Sequence, residues 1–210
     1  MATLQIDVRE LELFLKRTQQ GPEALQALRI RTAVHYLDPT LDRLSNRMLQ
    51  AYAKLCEIVK PPFSILDAGC MAGYLRHFMQ LRIKNFTYVG IDCWDEALTV
   101  AREFQPDIDV RKCNLLEDEL PNGVSLQGRP ETGFDYVWCS NINWGKHAEK
   151  AVEKLKPLAR RACFFAQPPD TGDFPGDTID CGETTLYVMK NEPSLLLRPD
   201  DRYWNLAKAR

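Results

Sequence analysis

From Phe63 onward the chain alternates short apolar runs, several ending at an acid or a glycine turn, with apolar residues at helical spacing. Phe63-Ser64-Ile65-Leu66 runs into Asp67-Ala68-Gly69-Cys70-Met71-Ala72-Gly73, after which Tyr74, Phe78 and Leu81 recur as one helix face. Phe86-Thr87-Tyr88-Val89-Gly90-Ile91 follows as a second strand ending at Asp92, and Asp95 is placed to cap a helix reaching Phe104, with Pro106 beyond it. Strands over Ile108–Val110, Phe134–Cys139 and Ala162–Ala166 continue the alternation, with a helix over Lys146–Lys156. Thr184–Met189 reads as a last strand, paired with one near Thr178–Cys181. Continuous apolar strands need cover on both faces, and helices between them supply it, so the expected class is α/β with a mostly parallel sheet.

Three helical patterns precede this region. Leu4, Val8, Leu11 and Leu15 form one stripe, stopped by Gly21-Pro22. Pro22 starts a second helix whose Ala27, Ile30, Val34 and Leu37 are the expected buried side, which would turn His35 and Tyr36 toward solvent or the open end of the sheet. Thr40 is placed to cap a third, striped by Leu44, Met48, Tyr52, Leu55 and Val59 and ended by Pro61-Pro62. The chain is thus expected to divide into a helical extension over residues 1–60 and a sheet domain over 61–210.

Composition narrows the class of partner. Hydrophobic residues make up 45%, enough for a sizeable core, and the net charge of -2 gives no electrostatic reason to expect nucleic acid. A nucleic-acid or protein acceptor is unsupported on that ground but left open. Seven cysteines include no C-x-x-C pair and none at zinc spacing from a histidine, so they read as reduced core thiols and no metal site is expected. The N-terminus lacks the layout of a signal peptide, and no apolar run approaches the ~20 residues that span a bilayer. A cytoplasmic protein without a membrane partner is expected.

Open α/β sheets bind ligands beyond the carboxyl ends of their strands, where strand order reverses. Glycines in the first turn let the backbone approach a ligand closely. Asp92 ends the second strand about twenty residues after that turn, the spacing of an acid that accepts hydrogen bonds from a ribose diol. A nicotinamide dehydrogenase is disfavoured, because G-x-G-x-x-G is missing from the turn and Asp67 has no role in that scheme.

Ile65 to Leu75, with Asp67, Gly69 and Gly73, resembles the D/E-x-G-x-G-x-G segment of class I S-adenosylmethionine-dependent methyltransferases, and Tyr88–Asp92 resembles their second strand. The resemblance extends over Phe63–Met189 and implies a Rossmann-like fold with S-adenosyl-L-methionine as cofactor. It further implies a cofactor site of Asp67, Ala68, Gly69, Cys70 and Gly73 in the turn, Asp92 at the ribose with Cys93 beside it, and Asn114 and Leu115 at the adenine. The chain departs from the pattern in three places: Met71 replaces the middle glycine, Asn114 replaces an aspartate, and the proline- and glycine-rich stretch Gln167–Asp177 stands where the family has a helix.

The residues that hold an acceptor are less legible. Candidates for a catalytic role are His147, in the first turn of the helix after the fourth strand, and His35 with Tyr36, as part of a lid. His77 reads as structural, Trp94 and Trp144 as rim residues, and Gln167-Pro168-Pro169-Asp170 as a proline turn. The expected function is methyl transfer to a small molecule. The other readings the residues allow are a regulatory, non-catalytic protein on the same fold, with or without cofactor, and an enzyme using the same cofactor for another reaction.

Overall fold

Proline, glycine and apolar period set most element boundaries. The computed structural model describes residues 22–37, 43–124, 130–140, 148–168 and 174–191. The Leu4–Leu15 pattern, the Thr40 cap, Trp144 and His147 lie outside the described residues. Helix α1 spans Pro22–Leu37, opening on a proline whose missing N–H would have had no intrahelical partner, and α2 spans Arg43–Ile58. Then come β1 (Phe63–Ala68), α3 (Tyr74–Gln80), β2 (Phe86–Asp92), α4 (Asp95–Phe104) and β3 (Val110–Lys112). A two-stranded hairpin of β4 (Gly123–Val124) and β5 (Pro130–Glu131) precedes β6 (Phe134–Ser140). Helix α5 (Ala148–Leu155), β7 (Ala159–Gln167), β8 (Asp177–Asp180) and β9 (Thr185–Lys190) complete the order.

Seven strands form one sheet in the order β3-β2-β1-β6-β7-β9-β8. The first five run parallel, and β9 is antiparallel to both β7 and β8. Because strand side chains alternate, each face takes one set of apolar residues. Ile65, Tyr88, Trp138 and Phe164 pack with Leu28 of α1, Tyr52 and Leu55 of α2, Phe78 of α3 and Leu98 of α4. Leu66, Val89, Val137, Cys163 and Phe165 pack on the other face with Ala151 and Leu155 of α5 and with Phe174. A parallel sheet, switched in strand order beside β1 and helix-covered on both faces, is a Rossmann-like α/β fold.

Several local expectations change. Helix α1 does not bury the Ala27–Leu37 stripe: Ile30 is 37% and Leu37 87% exposed, while Ala27, Leu28, Arg31, Thr32 and His35 are buried. Apolar residues are spread around this helix, so polar contacts choose its face, with Thr32 Oγ1 lying 3.1 Å from the Tyr74 hydroxyl. Leu81 lies beyond the end of α3 and is exposed, and the buried residues of that helix include Tyr74, Leu75, Phe78 and Met79. The third strand begins at Val110 rather than Ile108, because the Ile108 N–H closes a turn onto the Gln105 carbonyl at 3.0 Å. Trp94, not Asp95, stands at the N-cap of α4, with no side-chain cap bond. No helix is present among the described residues of 167–177. Among the described residues no helix is long and apolar enough to cross a membrane.

Candidate functional site

Lys112, Asp92, Ala68, Ser140 and Gln167 end the five parallel strands at one edge of the sheet. β1 has β2 on one flank and β6 on the other. The chain therefore changes direction of growth beside β1, and the turn after that strand occupies the crevice where such sheets bind ligands.

That turn is pinned to its neighbour strand. The N–H groups of Gly69 and Cys70 both donate to the Ile91 carbonyl, at 2.8 and 3.1 Å. Gly69, Met71 and Gly73 all have positive φ, at 81°, 50° and 76°. Two of these are the residue type that tolerates the left-handed region, whereas Met71 enters it at a cost of about 1–2 kcal/mol. The Met71 N–H donates to Asp92 Oδ2 at 2.9 Å, an interaction that offsets the strain. Methionine in place of the middle glycine therefore leaves the turn left-handed at that position. At Gly73 space matters as well as φ: a Cβ there would lie 2.5 Å from Ile108 Cδ1.

Asp92 joins the two loops. Oδ2 accepts from Met71, and Oδ1 accepts from the Trp94 N–H at 3.0 Å. Burial pushes its carboxyl above the usual carboxylate range, opposed by the N–H groups of Met71, Trp94 and Cys93. A carboxylate has about four lone-pair sites, so beyond these backbone donors it keeps acceptor capacity for a hydroxyl. Two residues on, the Trp94 indole Nε1 is buried without a hydrogen-bond partner.

Asp67 faces a second constraint. It is 2% exposed and accepts a hydrogen bond from the Tyr88 hydroxyl at 2.7 Å. Burial pushes its carboxyl up to about 7, against the Tyr88 hydrogen bond and helped by the charge of Asp92. Sequence reasoning missed Tyr88, although a signal existed. Gly90 stands opposite Asp67 in the β1–β2 register, and a Cβ at Gly90 would meet the Cys70 sulfur at 2.8 Å and the Tyr88 hydroxyl at 3.0 Å. Glycine there keeps room for the Tyr88–Asp67 pair.

The remaining turn residues contribute backbone or rim. The Ala68 and Cys70 side chains are buried, and Cys93 is exposed. The Cys113 N–H donates to the Asp92 carbonyl at 2.9 Å, which brings Asn114 and Leu115 to the same edge. Asn114 Oδ1 accepts from the Leu116 N–H at 3.1 Å in a local turn, and the Leu115 side chain enters the second apolar layer.

His35 and Tyr36 pack on the glycine turn and the start of α3. His35 is 1% exposed with its ring centroid 4.2 Å from that of Tyr74, so it does not face solvent. Tyr36 stacks on His77 at 3.9 Å, donates to the Ala72 carbonyl at 3.3 Å, and its oxygen accepts from Gln105 Nε2. Gln105 also donates to the Gly73 carbonyl and accepts from Arg76, which pairs with Asp107. This network braces the glycine turn and the start of α3. Among the described residues no cluster of histidine, cysteine and acid could hold a metal ion.

The sheet and its helices define a protein of Rossmann-like α/β fold. No family model and no curated protein matches the chain. Among solved structures it is similar to a chain of the Haloferax volcanii complex between the Trm112 methyltransferase activator and a methyltransferase (15% identity, TM-score 0.48, 64% of this chain and 56% of that one). It is also similar to the TehB-like SAM-dependent methyltransferase from Corynebacterium glutamicum (15%, 0.47, 60% and 65%). A third is coclaurine N-methyltransferase bound to N-methylheliamine and SAH (18%, 0.47, 63% and 41%). The chain spans less than two thirds of the length of each.

Proposed function

We propose that this protein binds S-adenosyl-L-methionine and transfers its methyl group to a small molecule. The observation that carries the reading is Asp92. Its carboxylate ends β2 at the switch point, is anchored by backbone donors from both adjoining loops, and retains acceptor capacity for a hydroxyl of a diol. The donor set suits this cofactor. Asp92 would take the ribose, and Gly69, with positive φ and no side chain, would let the cofactor approach the turn. Asn114 would take the adenine amino group with the second lone pair of Oδ1, beside the Leu115 amide, and the charge of buried Asp67 would favour a cationic group near the turn. When bound, the cofactor supplies the activated methyl, so the protein's task is alignment and exclusion of water. The acceptor would then lie on the other side of β1, over β6 and β7. All seven cysteines are free, and an interior of thiols fits a cytoplasmic enzyme.

Calorimetry tests the reading. S-adenosylmethionine should bind in the micromolar range and NAD no better than background. Asp92→Ala should weaken cofactor binding about tenfold or more, since each charge-assisted hydrogen bond contributes about 1.5–3 kcal/mol. No heat and no thermal shift with S-adenosylmethionine would sink the proposal, and a preference for NAD would reverse it. Mass spectrometry of protein purified directly from cells should show S-adenosylmethionine or S-adenosylhomocysteine.

A further inference from the structure

Gln167 is the last residue of β7 and is 3% exposed, yet its amide Nε2 has no hydrogen-bond partner. Leaving a buried donor unsatisfied is unfavourable enough that native proteins seldom do it without a ligand, a trapped water or a function. The position of this donor argues for a ligand. Ser140 of β6 pairs with Ala166, so Gln167 lies one residue past the end of the β6–β7 ladder, at the edge that carries Asp67 and Asp92. Adjacent strands lie about 4.8 Å apart, so an end two strands from β1 is roughly 10 Å from the glycine turn. That span leaves room for a reacting group between the turn and the amide.

The surroundings select the chemistry. Two residues back on the same face, Phe165 stacks on Phe174 at 5.3 Å, and Phe174 meets Tyr187 at 5.2 Å. These rings are buried in the second apolar layer, so the strand end that carries the amide stands on an apolar, aromatic base, which favours a flat, apolar body. The nearer ionisable residues at the strand ends are the acids Asp67, Asp92 and Asp180; the cation Lys112 ends β3, four strands from β7, and pairs with Asp95, and the last residues of β6 and β7, Cys139, Ser140, Ala166 and Gln167, include no cation. An anionic acceptor would meet no compensating charge from them.

Resting on the methyltransferase reading, we propose that Gln167 is a specificity-determining residue for the acceptor. Its amide N–H2 donates to a neutral carbonyl oxygen, hydroxyl or ring nitrogen of a flat small molecule seated over the ends of β6 and β7. The amide forms no covalent bond and moves no proton; it sets the orientation in which the acceptor's lone pair meets the methyl carbon.

The test uses the whole chain labelled with 15N, with the Gln167 side-chain resonances assigned. Nicotinamide serves as the neutral probe and nicotinate as its anionic counterpart, each titrated with and without S-adenosylhomocysteine. Nicotinamide should move the Gln167 amide pair saturably, and nicotinate should not. Gln167→Met should weaken nicotinamide about tenfold, the loss of one well-made hydrogen bond, while S-adenosylhomocysteine affinity and melting temperature are maintained. An amide pair that nicotinamide leaves unmoved overturns the proposal, including the case in which slow exchange shows a trapped water only. Equal nicotinamide affinity in Gln167→Met overturns it too. Failure of the wild type to bind S-adenosylhomocysteine would instead sink the cofactor reading, and the titrations without it still report on Gln167 by themselves.

Discussion

Asp67 sits under opposing demands. Burial favours its neutral form, the Tyr88 hydroxyl favours the carboxylate, and the balance lies at about 7. Between the ordinary carboxylate pKa and about 7 the folded protein therefore holds a proton that the unfolded chain has released. Stability should fall as pH rises through that window. Asp67→Asn keeps an acceptor for Tyr88 and removes the titration. The variant should be more stable above neutral pH, by on the order of 1–3 kcal/mol, and its melting temperature should change less between acid and neutral pH. A cationic ligand reverses the preference, because positive charge nearby favours the ionised acid. Wild-type affinity for S-adenosylmethionine should rise with pH through about 7, more steeply than for S-adenosylhomocysteine, which lacks the sulfonium. Calorimetry across pH checks this, and a flat profile in the wild type would remove Asp67 from the ligand's field. Both aspartates were legible in the sequence as strand-end acids. Their partners Tyr88, Met71 and Trp94 were not, since strand register and loop closure bring them together.

At the scale of elements, α1 acts as a brace. Its stripe of Ala27, Ile30, Val34 and Leu37 pointed to one face, yet the helix sits about one position round, burying Leu28, Arg31, Thr32 and His35. Helical spacing ranks faces only when apolar residues cluster, and here hydrogen bonds and ring contacts to α3 decide instead. The consequence is that His35→Ala and Tyr36→Phe should disturb stability before chemistry. His35→Ala empties a buried site beside Tyr74, and Tyr36→Phe leaves Gln105 Nε2 and the Ala72 carbonyl without the hydroxyl. Each should lower stability by about 1–3 kcal/mol in denaturant unfolding. Unchanged stability with lost turnover in both would restore them to the acceptor site.

For the whole molecule, one core joins the helices to the sheet. Leu28 of α1 and Met48, Tyr52 and Leu55 of α2 belong to the same buried cluster as Ile65, Trp138 and Phe164. Unfolding should accordingly be a single transition, with far- and near-ultraviolet circular dichroism coincident in denaturant. An early, separate loss of helix would mark α1 and α2 as an independent unit. What the sequence by itself determined was the alternation of strand and helix, and with it the parallel sheet, the glycine turn after the first strand and the acid ending the second. Those follow from local rules: period, breakers and the burial that continuous apolar strands require. Only the tertiary structure decided which face of α1 is buried, that Met71 takes the left-handed turn with its N–H on Asp92, and that Gln167 ends its strand as a buried donor. Each depends on groups far apart in the chain whose meeting is set by strand order and packing, and no local pattern encodes that.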